Sequence, residues 1–137
     1  MNTCLKTKEP KRWMLVDDTE DILLMLSALL EHLTGATFEC HSSPESALNA
    51  FAAAPDAYEL VFTDYDMPGM NGTELCRRML ALSPNQKIVL TTGSGYFSEF
   101  AARAAGFSAM LGKPYPISAL QAVLAAVGFN SKLACPA

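Results

Sequence analysis

The hydrophobic pattern of the chain alternates between short apolar runs and longer stretches with helical spacing. The short runs contain few charged residues and are too brief for helices, which is typical of buried strands. They predict strands at Trp13–Val16, Thr37–His41, Leu60–Thr63, Ile88–Thr91 and Ala109–Leu111. Because each run is followed by a stretch with helical spacing, the pattern predicts five consecutive strand–helix units.

The predicted helices begin at capping residues and end near glycine or proline. The first spans Thr19–Leu33, with Asp18 or Thr19 as its N-cap. Apolar residues recur along it with helical spacing. We expect its buried face to contain Ile22, Met25, Leu26, Leu29, Leu30 and Leu33. The later helices are predicted to begin near Ser43, Thr73, Ser98 and Pro116.

The order of the predicted elements defines a fold class. Apolar strands separated by helices indicate a parallel sheet that is covered on both faces. Five units are too few for an eight-stranded barrel. We therefore predict an α/β fold with a doubly wound, flavodoxin-like sheet and strand order 2-1-3-4-5. The predicted domain spans 12–127, between tails at 1–11 and 128–137.

Composition and charge then exclude several function classes. Of the 137 residues, 50% are hydrophobic and 18% are charged, which excludes a disordered chain. A net charge of −4 provides no basic surface for nucleic acid, so we expect no direct nucleic-acid partner. No apolar run approaches the roughly 18 residues of a membrane span, and no signal-peptide core begins the chain. We therefore expect a cytoplasmic protein without a membrane partner.

Polar residues that could take part in catalysis or metal binding follow the ends of four predicted strands. The carboxyl ends of parallel strands meet at one edge of a sheet, so we expect these side chains to converge. Neighbouring carboxylates repel one another and require a cation or protons, and oxygen ligands suit Mg²⁺. A lysine and a threonine hydroxyl would then face an anion held by the metal. The residues are Asp17, Asp18, Asp64, Thr91, Thr92 and Lys113.

Each of these residues also has an ordinary structural explanation. Asp18 is a suitable helix N-cap, and Asp64 precedes a Pro-Gly loop where aspartate commonly forms a turn. Threonines are common strand residues. Their joint occurrence at four strand ends nevertheless favours a functional site.

The same residues resemble a known family. The pattern consists of Asp17-Asp18, then Asp64-Tyr65-Asp66-Met67-Pro68-Gly69-Met70-Asn71-Gly72, then Thr92-Gly93, and finally Lys113-Pro114. In this order it is similar to the CheY-like response-regulator receiver domain, from about Arg12 to Val127. The resemblance implies that Asp64 is the phosphoacceptor for a phosphohistidine of a sensor histidine kinase or a histidine phosphotransfer protein. It also implies that Thr92 and Lys113 contact the phosphoryl oxygens.

The resemblance further implies a metal and a way of signalling. Asp17, Asp18, Asp64 and the backbone carbonyl of Asp66 would hold Mg²⁺. The protein would be a phosphoacceptor that catalyses its own phosphorylation and dephosphorylation, and not an enzyme with a separate substrate. Its output would be a phosphorelay, or a conformational change read by a downstream protein target.

One departure from the family pattern leaves a second function open. Met110 occupies a position where the family usually has an aromatic residue that turns inward when the threonine moves. A thioether fills space flexibly but has neither a ring nor a hydroxyl. A phosphorylation-independent adaptor with the receiver fold therefore remains an alternative.

A phosphatase of the haloacid-dehalogenase type is the remaining alternative. The segment Asp64-Tyr65-Asp66 is a D-x-D sequence after a strand, as in that family. Pro68, however, stands where the family has threonine or valine, and the acid pair precedes the D-x-D sequence here. This alternative is therefore disfavoured.

Two further positions are candidates for tuning such a function. Leu24 projects away from the predicted buried face of the first helix. In the receiver family this helix commonly docks on the helical bundle of a kinase, so Leu24 is a candidate contact. The side chain of Asp66 is a candidate for controlling how readily water reaches an acyl phosphate.

Overall fold

A single parallel sheet forms the centre of the molecule. The computed structural model describes residues 12–93, 98–113 and 116–129, and within them five strands lie in the order β2-β1-β3-β4-β5. All adjacent strands of the sheet are parallel. This arrangement confirms the predicted doubly wound, flavodoxin-like fold. The strands are β1 (Arg12–Val16), β2 (Phe38–His41), β3 (Tyr58–Asp64), β4 (Ile88–Thr92) and β5 (Ala109–Gly112).

Helices cover both faces of the sheet and create two hydrophobic clusters. The first and last helices pack on one face, and the three middle helices supply buried residues to the other. Right-handed crossovers between parallel strands place helices on both sides in this way. The helices are α1 (Glu20–Thr34), α2 (Pro44–Ala53), α3 (Gly72–Leu82), α4 (Glu99–Ala104) and α5 (Ile117–Ala126).

Side-chain caps begin three of these helices. The side chains of Ser43, Asn71 and Ser98 each accept a hydrogen bond from a backbone N–H three residues later. These bonds satisfy donors that a helix N-terminus otherwise leaves unpaired. Ser43 and Ser98 were predicted as start sites, whereas Asn71 begins α3 slightly earlier than the predicted Thr73.

The buried face of α1 differs from the prediction in its phase. Leu23, Leu26, Leu30 and Leu33 are buried, whereas Met25 is 41% exposed. The prediction was therefore wrong for Met25 and missed Leu23. Because the chain is apolar throughout Ile22–Leu26, its pattern permits several faces, and packing onto β1 and α5 selects one.

An aromatic cluster lies where β1 begins, at the end of the sheet opposite the carboxyl edge. The ring centroid of Trp13 is 5.9 Å from that of Phe38, 6.3 Å from that of Phe62 and 5.0 Å from that of Phe129. Trp13 is 2% exposed, which confirms its prediction as a core residue. Phe129 packs on the core although it follows residue 127. The predicted boundaries stay predictions, because 1–11 and 130–137 lie outside the described residues.

Candidate functional site

Three carboxylates converge at the carboxyl edge of the sheet. Asp17 and Asp18 follow β1 and Asp64 ends β3, and one oxygen atom of each lies within 4.8 Å of the others. Asp17 is 3% exposed and Asp64 is 5% exposed, whereas Asp18 faces solvent. The predicted meeting of these acids at one edge is therefore confirmed.

Lys113 joins two of the carboxylates directly. Its Nζ lies 2.9 Å from Oδ2 of Asp17 and 3.1 Å from Oδ1 of Asp64. The backbone N–H of Lys113 donates to the carbonyl of Thr92 at 2.9 Å, which fixes the start of the loop after β5. Residues from three distant parts of the chain thus form one ion-pair cluster.

The carboxylate of Asp17 is held by the backbone as well as by the lysine. Its Oδ1 accepts a hydrogen bond from the N–H of Thr19 at 2.9 Å. Its own N–H donates to the carbonyl of His41 at 3.1 Å. Thr19 is the N-cap residue of α1, so Asp17 fixes the turn that links β1 to this helix. Of the two residues predicted as the N-cap of this helix, Asp18 and Thr19, Thr19 holds that position.

The electrostatics of the pocket reflect an excess of negative charge. Burial and the nearby charge of Asp17 raise the pKa of Asp64, and this outweighs the lowering by Lys113 and by the N–H of Tyr65. Burial lowers the pKa of Lys113, but hydrogen bonds and charge from Asp17 and Asp64 outweigh it, so its pKa is raised. A divalent cation would reduce this imbalance, because it favours ionised carboxylates.

The two candidate threonines lie side by side at the end of β4. Thr91 is 2% exposed and Thr92 is 3% exposed. Thr91 is in register with Asp64, and Thr92 is in register with Gly112. Successive strand residues face opposite sides of a sheet, so the two hydroxyls point in different directions. Thr92 is the last residue of the strand and is next to the loop before α4.

The loop between β3 and α3 completes the described part of the pocket rim. Asp66 is exposed in this loop, and the ligand role of its carbonyl stays a prediction. Gly72 begins α3 against the end of β3, where a Cβ would collide with the backbone oxygen of Asp64. The N–H of Gly72 also donates to the carbonyl of Tyr65 at 2.9 Å. Nothing in the sequence pattern predicts this close approach.

The structure describes only part of the remaining rim. The glycine-rich loop at Gly93-Ser94-Gly95 lies largely outside the described residues, as do 114–115. Met110 is half-buried and packs against the cluster formed with α2, α3 and α4. Among the helices of the described ranges, none has the length and apolar character needed to cross a membrane.

Fold and site together define a doubly wound α/β protein with an acidic pocket and a lysine at the carboxyl edge of its sheet. The family model described as "Response regulator receiver domain" matches residues 14–125. The chain belongs to this family.

Curated relatives are much longer than this chain. The C4-dicarboxylate transport transcriptional regulatory protein DctD of Rhizobium meliloti is 38% identical over 81 residues, which cover 59% of this chain and 17% of the relative. The virulence sensor protein BvgS of Bordetella bronchiseptica is 32% identical over 133 residues, which cover 91% of this chain and 10% of the relative. The chain thus spans less than a fifth of either relative.

Solved structures of receiver domains share the fold over most of the chain. A response regulator receiver domain protein from Clostridium thermocellum is 26% identical with a TM-score of 0.77, covering 85% of this chain and 94% of that one. A CheY-like receiver domain protein from Methanospirillum hungatei is 30% identical with a TM-score of 0.70, covering 82% and 88%. These similarities agree with the family assignment.

Proposed function

We propose that this chain is a two-component signal-transduction receiver that accepts a phosphoryl group on Asp64 from a phosphohistidine. The donor is a sensor histidine kinase or a histidine phosphotransfer protein. One observation carries the proposal: the buried Asp64 carboxylate lies with two further carboxylates and Lys113 at the carboxyl edge of a receiver fold.

The proposed transfer needs a nucleophile and positive charge. A carboxylate oxygen of Asp64 attacks phosphorus, the P–N bond of the phosphohistidine breaks, and its electron pair stays with the imidazole. An ionised carboxylate requires no general base for this attack. Lys113 lies 3.1 Å from Asp64 and is placed to contact the transferring phosphoryl oxygens. Thr92 would donate its hydroxyl to the same group and report phosphorylation.

The donor set of the pocket suits Mg²⁺. Asp17, Asp18 and Asp64 offer only oxygen ligands, and the backbone carbonyl of Asp66 would add another. When bound, the metal would offset negative charge on the transferring group. Asp17 is already oriented by Thr19 and by His41, which supports its role as a ligand.

The proposed output requires a partner. Like the receiver family, the chain would catalyse its own phosphorylation and dephosphorylation, and signal by relay or by a conformational change that a downstream protein reads. The half-buried Met110 makes an adaptor function the alternative to be tested, because the usual aromatic switch residue is replaced.

Phosphorylation by a small donor tests this proposal. The protein is incubated with Mg²⁺ and acetyl phosphate or phosphoramidate, and its intact mass is measured. We expect one phosphate adduct in the wild type and in Asp56→Asn, an exposed aspartate outside the pocket, but none in Asp64→Asn. EDTA is expected to abolish the adduct. Absence of an adduct with every donor would contradict the proposal and favour the adaptor.

A further inference from the structure

A row of hydrogen-bonded side chains joins the edge strand β2 to α2. This β2–α2 row consists of Glu39, His41 and Ser46. Nε2 of His41 lies 2.7 Å from Oε2 of Glu39, and Nδ1 of the same ring lies 2.7 Å from Oγ of Ser46. Both ring nitrogens are therefore engaged. In the sequence, His41 only ends the predicted strand Thr37–His41, and no pattern predicts these contacts.

The direction of these bonds follows from the chemistry of Glu39. Its carboxylate also accepts hydrogen bonds from the hydroxyl of Tyr58 at 2.9 Å and from Nη1 of Arg12 at 3.1 Å. Burial alone would raise the pKa of Glu39, but the hydrogen bonds from His41, Tyr58 and Arg12 and the charge of His41 hold it below its ordinary value. An ionised carboxylate only accepts, so Nε2 of His41 donates. Nδ1 accepts from the Ser46 hydroxyl when the ring is neutral and donates to the Ser46 oxygen when the ring is charged.

The row is connected to the acidic pocket through the backbone of β2. His41 is in register with Val16, and its carbonyl accepts the N–H of Asp17 at 3.1 Å. His41, whose ring is bonded at both nitrogens, thus also holds the backbone of Asp17, a buried carboxylate of the pocket. Groups one bond removed from metal ligands orient them and contribute to metal affinity.

A second connection runs through the first turn of α2. Ser46 lies in this turn, one residue after Glu45. The carboxylate of Glu45 lies so close to Gly69 that a Cβ there would come within 2.9 Å of its Oε2. Gly69 belongs to the loop that follows β3 and contains Asp66. The first turn of α2 therefore supplies Ser46 to the row and places Glu45 next to the loop after β3.

We propose that the β2–α2 row positions the metal-binding pocket, through the backbone of Asp17 and through the loop after β3. This inference rests on the proposed Mg²⁺-dependent function. Direct outer-shell partners typically contribute about 10–100-fold to metal affinity. The row is one hydrogen bond further from the metal ligands than such a direct partner. We therefore expect its loss to raise the Kd for Mg²⁺ about three- to tenfold. The phosphorylation rate at saturating Mg²⁺ is expected to change little.

The test compares two serines at the start of the same helix. Ser46→Ala removes a side chain of the row, whereas Ser43→Ala removes only the cap on the backbone N–H of Ser46 and keeps all three side chains of the row. Ser46→Thr keeps the hydroxyl and serves as the rescue variant. Ser46 is exposed, so these variants are expected to fold. The Kd for Mg²⁺ is measured by isothermal titration calorimetry, and stability by urea unfolding.

A rise in Kd for Ser46→Ala, with Ser43→Ala near wild type and recovery in Ser46→Thr, is the expected result. Glu39→Gln is expected to weaken Mg²⁺ binding in the same way, because it removes the charge that orients His41. If the two alanine variants raise the Kd equally, the effect comes from the stability of helix α2, and the inference is overturned. Unchanged affinity in both Ser46→Ala and Glu39→Gln would also overturn it. Failure of the wild type to bind Mg²⁺ would instead contradict the proposed function, and the inference with it.

Discussion

Lys113 contacts two carboxylates of the pocket at the same time. Its Nζ lies 2.9 Å from Asp17 and 3.1 Å from Asp64. A metal bound by Asp17 would compete with the lysine for the same carboxylate. In the proposed function the lysine would therefore have two roles: it would neutralise the pocket before the metal binds and contact the phosphoryl oxygens afterwards.

Replacement of this lysine is expected to separate the two effects. In Lys113→Ala, phosphorylation by acetyl phosphate is expected to slow about 10²–10³-fold, since a charged donor to the transferring group is lost. Mg²⁺ binding is expected to persist or to strengthen, because Asp17 loses a competing cation. Labelling rates and calorimetric Mg²⁺ titrations measure the two quantities. Labelling at the wild-type rate would show that Lys113 does not contact the phosphoryl group.

The raised pKa of Asp64 makes both reactivity and stability depend on pH. Burial and the charge of Asp17 raise this pKa, and the acceptor must be ionised to attack. Because the metal must displace the proton from this carboxylate, labelling at subsaturating Mg²⁺ is expected to increase as pH rises through the range above the ordinary aspartate value. Rates measured with phosphoramidate in buffers of increasing pH test this expectation.

The raised pKa of Asp64 also affects folding, but in the opposite direction: an increase in pH lowers the stability of the native state. A carboxyl group with a raised pKa binds protons more tightly in the native state, so its contribution to stability is lost as pH rises through that pKa. In metal-free buffer at pH 7, Asp64→Asn is therefore expected to have a higher free energy of unfolding than the wild type. Urea titrations at pH 4 and pH 7 check this, and the difference between the proteins is expected to shrink at the lower pH.

At the scale of elements, α1 presents apolar side chains on its solvent face. Leu24 is 71% exposed and Met25 is 41% exposed, close to the acidic residues Glu20 and Asp21 of the first turn. The exposure of Leu24 confirms that it projects away from the core. Its role as a contact for a kinase helical bundle stays a prediction.

A charge at this position is expected to affect only the protein donor. In Leu24→Asp, phosphotransfer from a cognate kinase is expected to slow about tenfold or more, because a buried contact of an interface is lost. Labelling by acetyl phosphate is expected to stay unchanged. Leu82→Asp, at a 47% exposed position on α3, serves as the matched control. Slowing with both donors would indicate a folding defect in place of a docking contact.

The start of α3 depends on a glycine for steric reasons. A Cβ on Gly72 would collide with the backbone oxygen of Asp64, whereas a Cβ on Gly112 would meet nothing within 4 Å. Gly72→Ala is therefore expected to lower the free energy of unfolding by about 1–3 kcal/mol, and Gly112→Ala to have little effect. Urea unfolding of the two variants provides the comparison. Equal stability of the two would contradict the steric argument.

At the scale of the whole molecule, the fold and the acidic pocket could be predicted because they follow from the order of elements. Parallel strands place their ends at one edge, so the positions of Asp17, Asp64 and Lys113 followed from the strands that precede them. The face of α1 could not be predicted in the same way, because apolar residues surround Leu23 in the sequence. The β2–α2 row also escaped prediction, since contacts of His41 depend on how α2 docks beside an edge strand.

The aromatic cluster makes the molecule convenient for optical measurements. Trp13 is the only tryptophan of the chain and is 2% exposed among Phe38, Phe62 and Phe129. It is the second residue of β1, which leads to the acidic edge, so about 13 Å of strand separates it from Asp17. Its emission is therefore expected to report the unfolding of the whole domain with little signal from the pocket. Every urea titration described above can consequently be read from a single intrinsic chromophore, without a label.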